Sequence, residues 1–256
     1  MAKAQTIPEG SSALGIARRF LHALDRLVAP PLCLVCGNAL AETPDGTAGL
    51  CQACKAKLPR IPEEHRCQLC GGENDTALSV CHECAVTPRP WVCGVTAFSY
   101  HGLAGDLVRE YKYHRITPYA PYFAQAIAQA WHAAQPLLHP DCVVPIPLHW
   151  LRRLSRGFNQ AELVARHLAA ELGVDCLTPL RRRRATGHQA RLDADSRIRN
   201  LRRAFVVPPK ETAGIAGKSI LLLDDVFTTG ATLTAATEIL LAAGAREVAV
   251  ATIARA

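Results

Sequence analysis

The sequence predicts an α/β domain with a mostly parallel β-sheet, preceded by a small cysteine-rich domain. Residues 219–233 read SILLLDDVFTTGATL: an apolar run suited to a strand buried on both faces leads through a hydroxyl-rich loop into an apolar-periodic helix. A second apolar stretch at residues 248–253 completes a β-α-β unit. Eight cysteines in four C-x-x-C pairs, all before residue 85, mark the separate small domain.

The composition limits where the protein acts and what it binds. No apolar stretch reaches membrane-spanning length and the first residues lack a signal-peptide pattern, so we expect a cytoplasmic protein without a transmembrane segment. The formal net charge is +7, but residues 152–203 alone hold 13 arginines, no lysine and 5 acids. The positive charge is therefore local, which indicates an anionic ligand at one place.

Residues 1–30 are predicted to form one amphipathic helix. Apolar side chains recur at helical spacing between Leu14 and Val28, with arginines between them, and Pro30-Pro31 ends the pattern. Such a helix suits packing on the rest of the protein, and it also suits a membrane surface or a partner protein. The sequence leaves these alternatives open.

Residues 31–90 are predicted to form a double zinc-binding domain. In a reducing cytoplasm, C-x-x-C pairs are typical of thiolate zinc ligands rather than disulfides. Sequential pairing gives two Cys₄ sites: Cys33, Cys36, Cys51 and Cys54, followed by Cys67, Cys70, Cys81 and Cys84. Gly37 and Gly71 suit the tight turn after each first pair. Because no open coordination position is indicated, we expect two structural zinc ions.

The cysteines allow other interpretations. Interleaved pairing of the four C-x-x-C units stays open, and His65 or His82 lies close enough in sequence to replace a cysteine. A redox-active C-x-x-C needs a βαβ context that is missing around these pairs. The three remaining cysteines, Cys93, Cys142 and Cys176, are expected to be buried small apolar residues.

Residues 91–256 are predicted to form the α/β domain. The expected strands are residues 92–100, 142–144, 205–207, 220–223 and 248–253. The expected helices are residues 103–114, 121–134, 160–172, 194–202 and 233–243. Asn159 is a suitable N-cap, with Glu162 three residues later, and Gly244 is placed to end the last helix.

The candidate binding site lies where the strand at 220–223 ends. Unpaired backbone N–H groups at a helix start, with threonine hydroxyls and a glycine beside them, suit a phosphate group. Ionised carboxylates only accept hydrogen bonds, so they suit the hydroxyls of a neighbouring sugar. The site consists of Asp224, Asp225, Thr228, Thr229, Gly230, Ala231 and Thr232. Sugar at one end and phosphate at the other predict a ribose 5-phosphate ligand.

A nucleotide-triphosphatase P-loop is the competing interpretation. Residues 212–219 read TAGIAGKS, which ends like such a motif. A P-loop needs glycine at its first position and a helix beginning at Lys-Ser, whereas Thr212 stands first here and a strand follows Ser219. We therefore interpret Gly217 and Lys218 as the turn that enters the strand.

The segment LLLDDVFTTGATL resembles the phosphoribosyl-diphosphate (PRPP) signature of type I phosphoribosyltransferases. The resemblance implies a Rossmann-like type I phosphoribosyltransferase fold, with PRPP as the ligand and magnesium bound together with it. It further implies that two loops hold the diphosphate. Their residues are Pro145, Ile146, Pro147, Leu148, Arg156, Arg183 and Arg184.

The order of motifs along the whole chain resembles the ComF family of competence-associated, phosphoribosyltransferase-like proteins. Its most specific parts are RGFNQ at residues 156–160 and DDVFTTG at residues 224–230, after the four C-x-x-C pairs. The resemblance implies a double zinc ribbon joined to a PRPP-binding domain, and a role in natural competence or DNA uptake. It also implies single-stranded DNA and a helicase-like competence protein as partners.

Two hypotheses about activity remain. A glutamine-dependent amidophosphoribosyltransferase needs an N-terminal nucleophilic cysteine, and this chain starts Met1-Ala2-Lys3, so we expect no such activity. The first hypothesis is a PRPP-binding competence protein that also binds single-stranded DNA. The second is an active phosphoribosyltransferase that transfers ribose 5-phosphate from PRPP to an unidentified acceptor in nucleotide metabolism. No catalytic residue is assigned under either hypothesis.

Overall fold

The computed structural model describes residues 32–40, 49–76, 78–114, 116–148, 157–182 and 204–256. The chain divides into two compact units between Lys55 and Ala56. The predicted N-terminal helix and the predicted helix at 194–202 lie outside the described residues. Among the helices that are described, none has both the length and the apolar character needed to cross a membrane.

The secondary structure alternates strands and helices, as the sequence predicts. The strands are β1 Gly94–Ser99, β2 Cys142–Pro145, β3 Asp175–Cys176, β4 Arg181–Arg182, β5 Phe205–Val206, β6 Ser219–Phe227 and β7 Glu247–Arg255. The helices are α1 Gln52–Ala56, α2 His82–Val86, α3 Gly102–Tyr113, α4 Tyr119–Ala134, α5 Gln160–Leu172, α6 Pro209–Thr212 and α7 Ala231–Ala242. A 3₁₀ turn spans Glu63–His65.

The N-terminal unit is built around its cysteines. Leu32 pairs with Ala39 in an antiparallel bridge, which brackets the first C-x-x-C turn. The buried side chains described here are Cys33, Leu50 and Cys54. Few apolar side chains are buried among the described residues of this unit, so a metal ion held by its cysteines would add to their stability.

The C-terminal unit contains a five-stranded sheet in the order β1-β7-β6-β2-β3. Every pair of neighbouring strands in it is parallel, and β6 lies centrally between β7 and β2. The apolar run of β6 is buried on both faces, as expected for a central parallel strand. Strands β4 and β5 form a separate antiparallel pair. The predicted α/β fold with a mostly parallel sheet is confirmed.

One face of this sheet packs against both α7 and the second group of cysteines. Alternate strand residues share the face, among them Val144, Leu222 and Val250, and they form one buried cluster with Cys67, Cys70, Cys81 and Cys84. Helices α4 and α5 pack against each other and against β1 and β2. The second cysteine group therefore belongs to the core of the C-terminal unit. The predicted domain boundaries at residues 30/31 and 90/91 stay predictions.

Three expectations about local structure need correction. The strand predicted at 220–223 continues to Phe227, because β7 pairs with it as far as Arg255, so the two acids lie within the strand rather than after it. Asn159 occupies the N-cap position of α5, but its side chain makes no capping hydrogen bond. Cys142 is buried as predicted, whereas Cys93 and Cys176 are partly exposed, the first just before β1 and the second on the two-residue edge strand β3.

Candidate functional site

The predicted phosphate loop connects the end of β6 to the start of α7. Residues 228–230 form a bend, and α7 begins at Ala231 with Gly230 as its N-cap. The Ala231 N–H lies 3.4 Å from the Thr229 hydroxyl, and the Thr234 N–H donates to the Gly230 carbonyl at 2.8 Å. Thr228 and Thr229 are exposed. The loop thus presents hydroxyl groups and a helix N-terminus together, which is an arrangement suited to an anion.

Gly230 is required by backbone conformation and by its neighbours. Its φ angle is 74°, in the left-handed region that costs a non-glycine residue free energy. A Cβ atom placed there would lie 2.7 Å from the Phe227 ring and 2.8 Å from Arg89 Nη1. The sequence predicts Gly230 as a point where an anion approaches the backbone. The structure adds that the side chains of Phe227 and Arg89 also leave no room for a Cβ atom at this position.

The two acids beside the loop differ in their surroundings. The Asp224 carboxylate accepts a hydrogen bond from the Asp225 N–H at 2.8 Å. Burial, followed by the negative charge of Asp225, raises the pKa of Asp224 to about 7. Asp225 instead forms an ion pair with Lys112, whose Nζ lies 2.9 Å from Asp225 Oδ1. Burial thus disfavours the charged form of Asp224, whereas Asp225 has a lysine beside it.

The first predicted diphosphate loop lies at the same edge of the sheet. Pro145 ends β2 opposite Leu223 of β6, and the Ile146 N–H donates to the Leu223 carbonyl at 2.8 Å. Pro147 and Leu148, which follow, are partly exposed. The structure thus brings the start of this loop, at Pro145 and Ile146, beside Leu223, the residue before Asp224, because the carboxyl ends of neighbouring parallel strands meet at one edge.

The predicted cationic partners of the diphosphate are not all described. Arg156, Arg183 and Arg184 lie outside the described residues. Arg181 and Arg182, which come just before Arg183, form strand β4 rather than part of a loop. Arg181 also forms an ion pair with Glu211 at 3.3 Å. The roles of Arg156, Arg183 and Arg184 stay predictions.

The eight predicted metal ligands form two clusters with sequential pairing. One contains Cys33, Cys36, Cys51 and Cys54, and the other contains Cys67, Cys70, Cys81 and Cys84; within each, the four Sγ atoms lie within 4.8 Å of one another. The Sγ–Sγ distances are 3.6 Å for Cys36–Cys51 and 3.8 Å for Cys70–Cys81. Four thiolates at Zn–S bonds of about 2.3 Å in a tetrahedron stand about 3.8 Å apart, so both clusters fit zinc.

The two clusters also repeat the same local geometry. The N–H of the third cysteine donates to the sulfur of the first at 3.3 Å in both, from Cys51 to Cys33 and from Cys81 to Cys67. The turn glycines have φ angles of 70° at Gly37 and 68° at Gly71, as the sequence predicts. Each cluster contains the sequential pairs, and among the described residues no histidine belongs to either one, so the geometry favours sequential pairing with four cysteines.

Comparison with known proteins places these features in a family. The family model described as "Double zinc ribbon domain" matches residues 24–85, and the one described as "Phosphoribosyl transferase domain" matches residues 150–256. The DNA utilization protein YhgH of Escherichia coli K12 is 31% identical over 229 residues, which cover 87% of this chain and 96% of that protein. The chain belongs to the ComF family. Competence protein F of Haemophilus influenzae is 29% identical, and the alignment covers 81% of this chain and 91% of that protein.

A more distant ComF-family relative is Competence protein ComFC of Bacillus subtilis, which is 25% identical. That alignment covers 83% of this chain and 90% of the relative. ComF-family membership confirms the architecture that the motifs predict, a double zinc ribbon joined to a phosphoribosyltransferase domain. It also identifies the cysteine clusters as zinc-ribbon sites.

In this ComF-family chain, two residues of the RGFNQ motif, Asn159 and Gln160, connect elements of the site by hydrogen bonds. Asn159 Nδ2 donates to the Ile146 carbonyl at 3.1 Å, and Gln160 Nε2 donates to the Lys112 carbonyl at 3.3 Å. The Tyr111 hydroxyl donates to the Gln160 carbonyl at 2.9 Å. The Asn159 side chain thus supports the 145–148 loop through a hydrogen bond to its backbone and does not cap the helix. The Asn159 Oδ1 atom, which would have to accept a capping hydrogen bond, is buried and has no partner among the described residues.

Lys112 is the site residue for which sequence reasoning assigned no role. It stands in the last turn of α3, the helix that follows β1, and its side chain is only 17% exposed. The available signal was its place in the chain, because the helix follows a strand whose carboxyl end faces the same sheet edge as Asp225. Periodicity alone does not show which lysine turns inward to meet an acid.

Proposed function

We propose that this protein binds PRPP at the loop between β6 and α7 and acts in natural competence or DNA uptake. The observation that carries the proposal is the arrangement of Asp224, Asp225 and Lys112 beside a helix N-terminus at the carboxyl edge of a parallel sheet. Groups that accept hydrogen bonds from sugar hydroxyls thus stand beside groups that donate hydrogen bonds to a phosphate, and this combination suits a phosphorylated sugar.

Each part of PRPP has a candidate partner. The N–H and hydroxyl groups of Thr228–Thr232 would bind the 5-phosphate, and the two acids would accept hydrogen bonds from the ribose hydroxyls. Residues 145–148, with Arg156, Arg183 and Arg184, would surround the diphosphate. Magnesium, when bound together with PRPP, supplies positive charge to the diphosphate, and carboxylate and phosphate oxygens are the ligands it prefers.

The DNA-related part of the proposal has two supports. Relatives that align over most of their length are named DNA utilization protein and Competence protein. The 13 arginines of residues 152–203 provide the positive charge that single-stranded DNA requires. Aromatic residues make up only 5% of the chain, so we propose binding through the phosphate backbone without sequence preference.

Calorimetry with magnesium and PRPP tests the binding site. Wild-type protein should bind PRPP, and Asp225→Asn should weaken binding at least about tenfold, since one charge-assisted hydrogen bond contributes roughly 1.5–3 kcal/mol. Asp106→Asn is the matched control, because Asp106 is an exposed carboxylate that pairs with Arg109 on α3. Both variants should retain two zinc ions per chain. Equal affinities of the wild-type and Asp225→Asn proteins would refute the assignment of the acids.

A separate pair of assays decides between the two activity hypotheses. Release of diphosphate from PRPP, with and without candidate acceptors, measures phosphoribosyl transfer. Retention of single-stranded DNA at several salt concentrations measures DNA binding, which should weaken steeply as salt rises. Salt-sensitive DNA binding without diphosphate release supports a PRPP-binding competence protein. Acceptor-dependent diphosphate release without DNA binding supports the transferase.

A further inference from the structure

A buried arginine joins the second cysteine cluster to the phosphate loop. The Arg89 side chain is only 2% exposed. Its Nη1 donates to the Thr229 carbonyl at 2.9 Å, and its Nη2 donates to Glu83 Oε1 at 2.9 Å. The guanidinium carbon lies 5.5 Å from the ring centroids of both Trp91 and Phe227. A buried cation persists only where it is paired, and these partners satisfy that requirement.

Glu83 fixes the far end of this connection to the cysteine cluster. It lies in α2 between Cys81 and Cys84, two of the four ligands. Its second carboxylate oxygen accepts a hydrogen bond from Arg255 Nη2 at 2.5 Å, and Arg255 Nη1 also contacts Cys70 Sγ. A zinc ion held by four thiolates carries a formal charge of −2, and Glu83 adds one negative charge, so the two arginines offset most of the negative charge around the filled site.

The contact with Thr229 determines how the loop presents its backbone. A trans peptide is planar, and its carbonyl and its N–H point in opposite directions. Because Arg89 holds the Thr229 carbonyl, the Gly230 N–H of the same peptide must point away from Arg89. Gly230 lies against Arg89 and Phe227 so closely that a Cβ atom would not fit. The orientation of this peptide is therefore set by a side chain from the cysteine-rich segment.

We propose that Arg89 is a positioning residue through which the second zinc ribbon orients the phosphate loop for its anion. The proposal rests on the proposed PRPP site for its ligand. It goes further by giving the second ribbon a part in ligand binding, in addition to its structural one. The ribbon holds Glu83, Glu83 holds Arg89, and Arg89 turns the Gly230 N–H to the side of the loop opposite the ribbon.

The main test compares Arg89→Met with wild type in the zinc-loaded, full-length protein. Methionine keeps the packing between the two rings but removes both hydrogen bonds. We expect amide hydrogen exchange at residues 229–231 to become at least about tenfold faster without any ligand, and PRPP to bind about tenfold more weakly, as for the loss of one charge-assisted hydrogen bond. The exchange rate and the PRPP affinity of Arg89→Lys should lie between those of wild type and Arg89→Met. Zinc content should stay at two ions per chain in every variant.

Two controls make the test specific. Arg166→Ala removes an exposed arginine whose partner is Glu162 on the same helix, and it should leave loop exchange and PRPP affinity unchanged. Glu83→Gln loosens Arg89 from the ribbon side and should accelerate loop exchange by a smaller factor. This variant decides the question if Arg89→Met does not fold.

The outcomes separate the two proposals. If wild-type protein does not bind PRPP but loop exchange responds to Arg89→Met, the PRPP proposal fails and the positioning role stands. If PRPP binds and loop exchange in a folded, zinc-loaded Arg89→Met stays within about twofold of wild type, the positioning role is overturned. Unchanged exchange in Glu83→Gln, should Arg89→Met not fold, overturns it as well.

Discussion

The ion pair between Lys112 and Asp225 should contribute more to stability than an ordinary surface pair. The Nζ–Oδ1 distance is 2.9 Å, and the two side chains are 17% and 18% exposed. At an effective dielectric constant of about 20, unit charges at that distance attract by about 6 kcal/mol, and the cost of desolvating both groups offsets most of this. We expect a net coupling free energy of about 1–3 kcal/mol.

A double-mutant cycle measures that coupling. The free energy of unfolding is determined by urea denaturation for wild type, Lys112→Met, Asp225→Asn and the double variant. The control cycle uses Asp106 and Arg109, which form an ion pair with side chains 56% and 57% exposed, and it should give no more than about 0.5 kcal/mol. Equal coupling in both cycles would refute the view that Lys112 neutralises the acid pair in a partly buried site.

Three further predictions follow from the geometry. The pKa of Asp224 is raised from 3.8 to about 7 in the folded protein. The free energy of unfolding without ligand should therefore fall as the pH rises from about 4 to about 7, by at most about 1.4 kcal/mol per pH unit. Asp224→Asn should remove this pH dependence from urea denaturation curves. Gly230→Ala should lower the unfolding free energy by at least about 1–2 kcal/mol, because alanine disfavours a φ of 74° and its Cβ would meet the Phe227 ring; a melting temperature equal to wild type would contradict this. Cys67→Ser should lose one zinc and destabilise the C-terminal unit, because Cys67 belongs to the core of that unit. Cys36→Ser should also lose one zinc but leave the melting transition of the C-terminal unit in place, because Cys36 belongs to the other unit. Metal analysis and calorimetry measure the two effects.

Much of the fold could be predicted because its signals are local. The apolar run of β6, the threonine-rich bend and the start of α7 are adjacent in the chain, so their sequence alone indicates a strand, a loop and a helix. The C-x-x-C pairs are equally local, and the Gly37 N–H donates to the Cys33 carbonyl at 2.8 Å in the turn that their spacing predicts. The loop at residues 145–148 is predicted from the resemblance to phosphoribosyltransferases, and the rule that parallel strands end at one edge of a sheet explains why it begins beside the end of the apolar run of β6.

The features that sequence reasoning missed depend on contacts between distant segments. Lys112 pairs with Asp225, and Arg89 reaches Thr229 across 140 positions in the chain. The extension of β6 to Phe227 depends on the length of its partner strand rather than on its own composition. Neither periodicity nor spacing encodes which distant side chain fills a given contact.

A crystal structure of the protein with magnesium and PRPP tests the central claim most directly. The claim predicts electron density for the 5-phosphate at the backbone N–H groups of Thr228–Thr232, with the ribose hydroxyls within hydrogen-bond distance of Asp224 and Asp225. A saturating soak that leaves this loop empty, or that shows PRPP bound at another place, would contradict it.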